Sequence, residues 1–175
     1  MIHSYDGHSP QIANSAFVHP DATIIGQAHV GHESSIWPGT ILRADMGKIY
    51  IGDQTSIQDG TICHLTENLS ETIVGNQVTV GHRVILHGCV VEDNCLIGMG
   101  AILLDNATVG KGSLVAAGSL VTVGTEIPPN SLVMGSPAKV IGPLSDKNKA
   151  LVEFSWRTYV EHAAKYKIEL EHGPG

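Results

Sequence analysis

Every sixth residue from Val91 to Val133 is aliphatic: Val91, Ile97, Leu103, Val109, Val115, Val121, Ile127 and Val133. Four residues after each of the first seven stand Cys95, Ala101, Ala107, Ser113, Ser119, Thr125 and Ser131, all small. The same register runs upstream through Ile12, Val18, Ile24, Val30, Ile36 and Leu42, with Ala16, Ala22, Ala28, Ser34 and Thr40 as small partners. Between the two blocks lie Ile51, Ile57, Cys63 and then Val74, Val80, Leu86. A period of six matches neither a helix nor an alternating strand. It matches a short strand and a turn, repeated, with the aliphatic residue inward and the small one inside the corner. Glycine often follows the aliphatic position, as at Gly31, Gly52, Gly75, Gly81, Gly98 and Gly110. This pattern specifies an all-β solenoid, a parallel β-helix of hexapeptide repeats with three units to a triangular coil. A sandwich of valine-rich strands would not hold one phase over so many turns.

Composition agrees. The chain has 175 residues, 20 of them glycine, and only 5% are aromatic, so the core is built from small branched side chains. The formal charge of -7 argues against nucleic acid, whose binding leans on Lys and Arg. No apolar stretch approaches the roughly 20 residues of a membrane span. The first residues show neither a basic start nor an apolar run, so no secretory signal is expected. Three cysteines without CxxC spacing argue against a disulfide framework and fit a reducing cytoplasm.

The register breaks three times: nine residues separate Leu42 from Ile51, eleven separate Cys63 from Val74, and five separate Leu86 from Val91. Loops are expected to leave the solenoid at these points, and loops carry function. The repeat fades after Val133. Val152, Trp156, Tyr159, Ala163 and Tyr166 fall at helical spacing behind a capping Ser145 or Asp146, which predicts a docked helix over 146–167 and fraying over 171–175. The expected organisation is an N-terminal segment 1–11, the β-helix 12–140, and a linker, helix and tail over 141–175.

Stacking the coils brings titratable residues together. The residue after the third inward position is Arg43, then His64, then His87, in successive coils about 4.8 Å apart. Two imidazoles so placed can share a metal ion. His82 falls two places after the second inward position, above Asp59 and around a corner from His87. A three-fold trimer would bring His82 of one copy to His64 and His87 of the next, and Arg43 near Asp59 of the neighbour. Three histidines plus water is a catalytic zinc arrangement. A polar, metal-free trimer interface is the alternative.

Residues 16–45, AFVHPDATIIGQAHVGHESSIWPGTILRAD, then IGDQTSIQDGTICH and VTVGHRVILHGCVVEDNCLIGMGAILLDNA, resemble the gamma-class carbonic anhydrases and their homologues. The IQDG-x3-H and VGH-x4-H patterns carry the resemblance, which extends through the SPAK exit and the final helix. It implies a left-handed β-helix, a homotrimer, and a metal, usually zinc with iron(II) as the alternative, at each subunit interface. It implies His64 and His87 as ligands from one chain and His82 from the neighbour. It also implies interface and active-site roles for Arg43, Asp45, Gln58 and Asp59.

The implied chemistry is reversible hydration of carbon dioxide to bicarbonate by metal-bound hydroxide, with Gln58 as a hydrogen-bond partner. Arg43, Asp45 and Asp59 have assembly as an equal reading. The sequence departs from the family at Met46, where a glutamate is usual, and at Ala44, where glycine is usual. Glu67 or Glu71 in the loop after His64, or Tyr159 on the helix, are the candidates for moving the proton. Acyl transfer, metal-assisted thioester hydrolysis, and a non-catalytic assembly role are the alternatives on the same fold.

Overall fold

The structure is a computed structural model describing residues 1–172. It is a left-handed parallel β-helix of about seven turns, closed at one side by a single helix, α1 (Asp146–His172). The inward columns are continuous. Val30, Ile51, Val74, Val91, Val109 and Ile127 align on one face, and Ile24, Leu42, Cys63, Leu86, Leu103 and Val121 on a second. Val18, Ile36, Ile57, Val80, Ile97, Val115 and Val133 form the third. All but the terminal Val18 are buried. Each such side chain contributes about 1.5–3 kcal/mol when buried, and the columns together form one core.

The corner residues do more than fill space. Ser34 Oγ donates to the Gly52 carbonyl at 2.6 Å and accepts from the Thr55 amide at 2.9 Å. Thr55 and Thr61 repeat this bridge to the next coil. Buried hydroxyls thus satisfy the backbone where the strands turn, which is why Ser and Thr are admitted to an otherwise apolar interior. The recurrent glycines have a steric cause: a Cβ at Gly52 would lie 2.7 Å from the Gly75 carbonyl.

The three register breaks differ physically. The first is not a loop, as expected, but a bulge inside one strand, Ile41–Ile51, where residues 45–48 stand opposite Gln27 alone. The second is a true loop over 65–71, pinned by Leu65, which is buried against Gly47. The third has no loop either; the missing residue is absorbed in a tight turn at Gly88, whose φ is +62°. Residues 1–11 join the solenoid, since Ile2–His3 pairs with Ile24 and Ile25.

Helix α1 begins at Asp146 and runs to His172, five residues past the expected end. The apolar stripe governs docking, and residues 168–172 continue the helix beyond it. Residues 173–175 of the tail expected to fray lie outside the described residues; 171 and 172 are helical. Phe17, Trp37 and Ala163 form one contact between α1 and the solenoid, and Leu114, Leu144 and Val152 another. Trp37 is fixed by donating Nε1–H to Ser35 and Ser56 Oγ, at 2.9 and 3.0 Å. No helix among the described residues is long and apolar enough to cross a membrane.

Candidate metal centre

The strands Ile62–His64 and Ile85–His87 pair in parallel with His64 opposite His87, and Leu42 lies opposite Cys63, so Arg43 sits one coil below. Alternation sends Cys63 and Leu86 inward and the two histidines outward. His64 Nδ1 and His87 Nε2 face each other at 3.4 Å. Their other nitrogens are engaged: His64 Nε2 meets Asp45 Oδ1 at 3.1 Å, and His87 Nδ1 meets Asp105 Oδ2 at 3.2 Å. An ionised carboxylate only accepts, so each imidazole carries its proton on that outer nitrogen. Two lone pairs are left pointing at one another.

Such an arrangement is resolved by a proton or a cation. Burial holds the His64 pKa below its ordinary value, against the opposing pull of Asp45, so the imidazole stays neutral. A divalent ion fits better: two nitrogens about 2.05 Å from a tetrahedral metal lie about 3.4 Å apart. Carboxylates on the outer nitrogens are the usual support of metal-binding histidines. Burial would raise the pKa of Asp45, but its bonds to Arg43 and His64 outweigh this and keep it low. Asp105 behaves alike, with Ser70, His87 and Thr66 overcoming burial.

His82 lies elsewhere, following the strand Thr79–Val80, which pairs with Ser56–Ile57 on the face covered by α1. Its Nδ1 meets Asp59 Oδ2 at 2.9 Å, which turns Nε2 away from the carboxylate, and the side chain is 43% exposed. Among the described residues of one chain, no three metal-ligating side chains converge. The sequence-predicted residues therefore divide into two groups. Arg43, Asp45, His64 and His87 are together, with Arg43 donating to Asp45 Oδ2 at 2.6 Å. Gln58, Asp59, His82 and Tyr159 stand on the other side. Gln58 is buried next to Asp59. Tyr159 packs edge-on to Trp37 at 5.6 Å and lines a hollow of about 470 Å³ with Asp59 and His162. Burial, and then the Asp59 charge, push its pKa up, so the phenol keeps its proton. Arg43 and Asp59, expected to pair between subunits, each have an acid or base partner within their own chain, Asp45 and His82.

Glu67 is exposed at the loop tip with no hydrogen bond or ion pair among the described residues, and Glu71 lies 4.0 Å from Lys48. Met46 is exposed in the bulge. Sequence reasoning missed Asp105, Ser70 and Thr66. Asp105 accepts from Ser70 Oγ at 2.5 Å and from Thr66 Oγ1 at 3.2 Å. The signal was present: Asp105 is two residues past the inward Leu103, one coil above Gly88, which has no side chain to occupy that space.

The fold and these motifs define a hexapeptide-repeat protein. A family model described as bacterial transferase hexapeptide (six repeats) matches residues 88–122, beginning at the tight turn of the last register break. A carbonic anhydrase of Geobacillus kaustophilus is 46% identical over 95% of this chain and 91% of its own length. The mitochondrial gamma carbonic anhydrase 1 of Arabidopsis thaliana is 42% identical over 92% of this chain, which spans 60% of that protein. A solved Bacillus cereus structure, described as a candidate acetyltransferase, superposes with a TM-score of 0.93 at 44% identity, covering 95% of this chain and 96% of its own. The chain belongs to the gamma-class carbonic anhydrase family.

Proposed function

We propose that the protein hydrates carbon dioxide reversibly to bicarbonate at metal sites shared between subunits of a homotrimer in the cytoplasm. The observation that carries this reading is the 3.4 Å pair of facing nitrogens on His64 and His87, each backed by a carboxylate. His82, backed by Asp59, is the third ligand, supplied by the neighbouring chain. Three neutral imidazoles select zinc, with iron(II) the alternative. Such a metal supplies a bound water acidified to a pKa of about 7.

The chain's own residues do the rest. Asp45 holds the proton on His64 Nε2 and, through its other oxygen, holds Arg43 at the rim. Asp59 does the same for His82 Nδ1. At the assembled interface Arg43 and Asp59 lie at matching levels and pair across it. Gln58, beside Asp59, is the candidate hydrogen-bond partner of the substrate. Tyr159, kept protonated, can donate but not accept a proton at neutral pH, and Glu67 is the candidate acceptor in the loop. Three buried, unpaired cysteines suit a reducing compartment.

Acyl transfer is the second reading, favoured by the likeness to the Bacillus cereus structure, with thioester hydrolysis as its hydrolytic counterpart on the same fold. Metal analysis, stopped-flow hydration of carbon dioxide and a thioester panel on one preparation separate the two. Fully loaded trimer that cleaves thioesters and leaves hydration at buffer background overturns the proposal.

A further inference from the structure

We propose that Asp105 is a positioning residue of the metal centre, fixing the direction of His87 and tying it to the 65–71 loop. This rests on the metal reading above. His64 and His82 receive their carboxylates from Asp45 and Asp59, two residues already implicated by family resemblance. His87 receives its own from a coil above, through a side chain that no motif marks.

The geometry around Asp105 is closed. Its side chain is 15% exposed, and three donors from two segments, the His87 strand and the 65–71 loop, converge on it. Oδ2 accepts from His87 Nδ1 and from Thr66 Oγ1, both at 3.2 Å; Oδ1 accepts from Ser70 Oγ at 2.5 Å. Thr66 and Ser70 sit near the two ends of the loop, and Ser70 Oγ also accepts from the Thr66 amide at 3.2 Å. The loop is therefore latched to the carboxylate that holds His87. Gly88 makes room for the latch: a Cβ there would lie 2.1 Å from both Asp105 Oδ1 and Ser70 Oγ. Opposite Asp45, by contrast, stands Arg43, whose side chain is 42% exposed. Asp105 is thus held by neutral hydroxyls inside the chain, and its aim does not wait on a partner subunit.

Two consequences follow. His87 should carry its proton on Nδ1 before any metal binds, leaving Nε2 as the ligand atom. Loosening the loop should weaken metal binding even though Ser70 and Thr66 touch no ligand nitrogen. The test uses full-length protein stripped of metal with chelator, in Asp105→Ala, Asp105→Asn and Ser70→Ala forms, with folding and assembly checked by circular dichroism and light scattering. Long-range proton–nitrogen NMR reads the His87 tautomer. Competition of zinc chloride with a chromophoric chelator reads affinity.

Asp105→Ala should shift His87 to a mixed tautomer and lower zinc affinity by about 10–100-fold. Asp105→Asn, which keeps an accepting oxygen, should recover part of both. Ser70→Ala keeps the carboxylate, so it tests the latch even if Asp105→Ala fails to fold; it should lower affinity by a smaller factor in the same direction. An unchanged tautomer, or an unchanged zinc affinity, in a folded Asp105→Ala trimer overturns the inference. If wild-type protein takes up no zinc, the proposed function fails instead, and the tautomer alone decides whether Asp105 orients His87.

Discussion

His64 and His82 each carry an aspartate on one ring nitrogen, yet the His64 side chain is 12% exposed and that of His82 43%. The first belongs to a half-site completed within the chain: two imidazoles stacked on adjacent coils, carboxylates behind both, and a buried Thr72 hydroxyl donating to the His64 carbonyl at 2.6 Å. The second is one histidine and one aspartate, both half-exposed, on the side of the solenoid that carries α1. Exposed pairs of that kind typically contribute at most about 1 kcal/mol. One group is held by contacts within its own chain. The other is held by a single exposed pair, and on the proposed assembly it would gain a fixed geometry from the neighbour that covers it.

The largest effects test whether the halves belong together. His82→Ala and His87→Ala should each abolish metal uptake and activity, since either leaves too few ligands. In a mixed trimer, one junction joins the His64/His87 face of a His82→Ala chain to the His82 face of a His87→Ala chain. That junction is intact, so co-refolded mixtures should regain part of the metal while separately refolded variants stay empty. Verified mixed trimers that recover no metal would sink the shared site.

Next in size is assembly. Asp59→Ala should shift the trimer toward monomer. Because Arg43 keeps its own-chain partner Asp45, the loss should fall below the about 3–5 kcal/mol of a wholly stranded buried charge. Asp45→Asn should leave assembly intact and act on metal affinity instead. Sedimentation or light scattering distinguishes them; a wild-type protein that is a stable monomer removes the basis of the interface altogether.

The inward columns were legible because a six-residue period leaves each coil no freedom of phase, and two of the register breaks only displaced residues outward. The pairing of His64 with His87 was legible for the same reason: both follow the third inward position of adjacent coils. Asp105 was not, because its contact depends on a missing residue at the third break and a missing Cβ at Gly88, neither of which leaves a periodic trace. The partners of Arg43 and Asp59 within the chain were also hidden. Stacking arithmetic gives levels along the axis but not which way a side chain leans, and Arg43 leans to Asp45, two residues along its own strand. The helix end failed for a simpler reason, since Ile168 and Leu170 continue the helix while remaining exposed.

A smaller effect separates the half-sites by pH. The His64 pKa is held below 6.5 by burial, so the folded chain binds fewer protons there than the unfolded one. Its contribution to stability is complete above pH 6.5 and is lost as the pH falls toward the folded value. Asp45 and Asp105 have the opposite charge but the same slope, and lose their contribution only as the pH drops below 3.8 through their folded values. Metal-free protein should therefore melt at a lower temperature at pH 5.5 than at 7.5, and His64→Gln should flatten that slope. A slope unchanged in His64→Gln would place its origin elsewhere.

The smallest expected effect concerns the proton. Met46 follows Asp45 in the bulge and Glu67 lies in the loop after His64, and each is exposed. Met46 cannot accept a proton. Glu67 can, but with no partner to hold it, its carboxylate samples many positions and bulk buffer reaches the same region. Glu67→Gln should thus lower kcat by about twofold or less, equivalent to about 0.4 kcal/mol. The change should appear only in dilute buffer, leave kcat/KM unaltered, and vanish when imidazole is added as an external proton carrier. A tenfold loss that imidazole restores would instead make Glu67 the dedicated relay. The loop latched by Ser70 and Thr66 would then belong to the half-site as fully as His64 and His87 do.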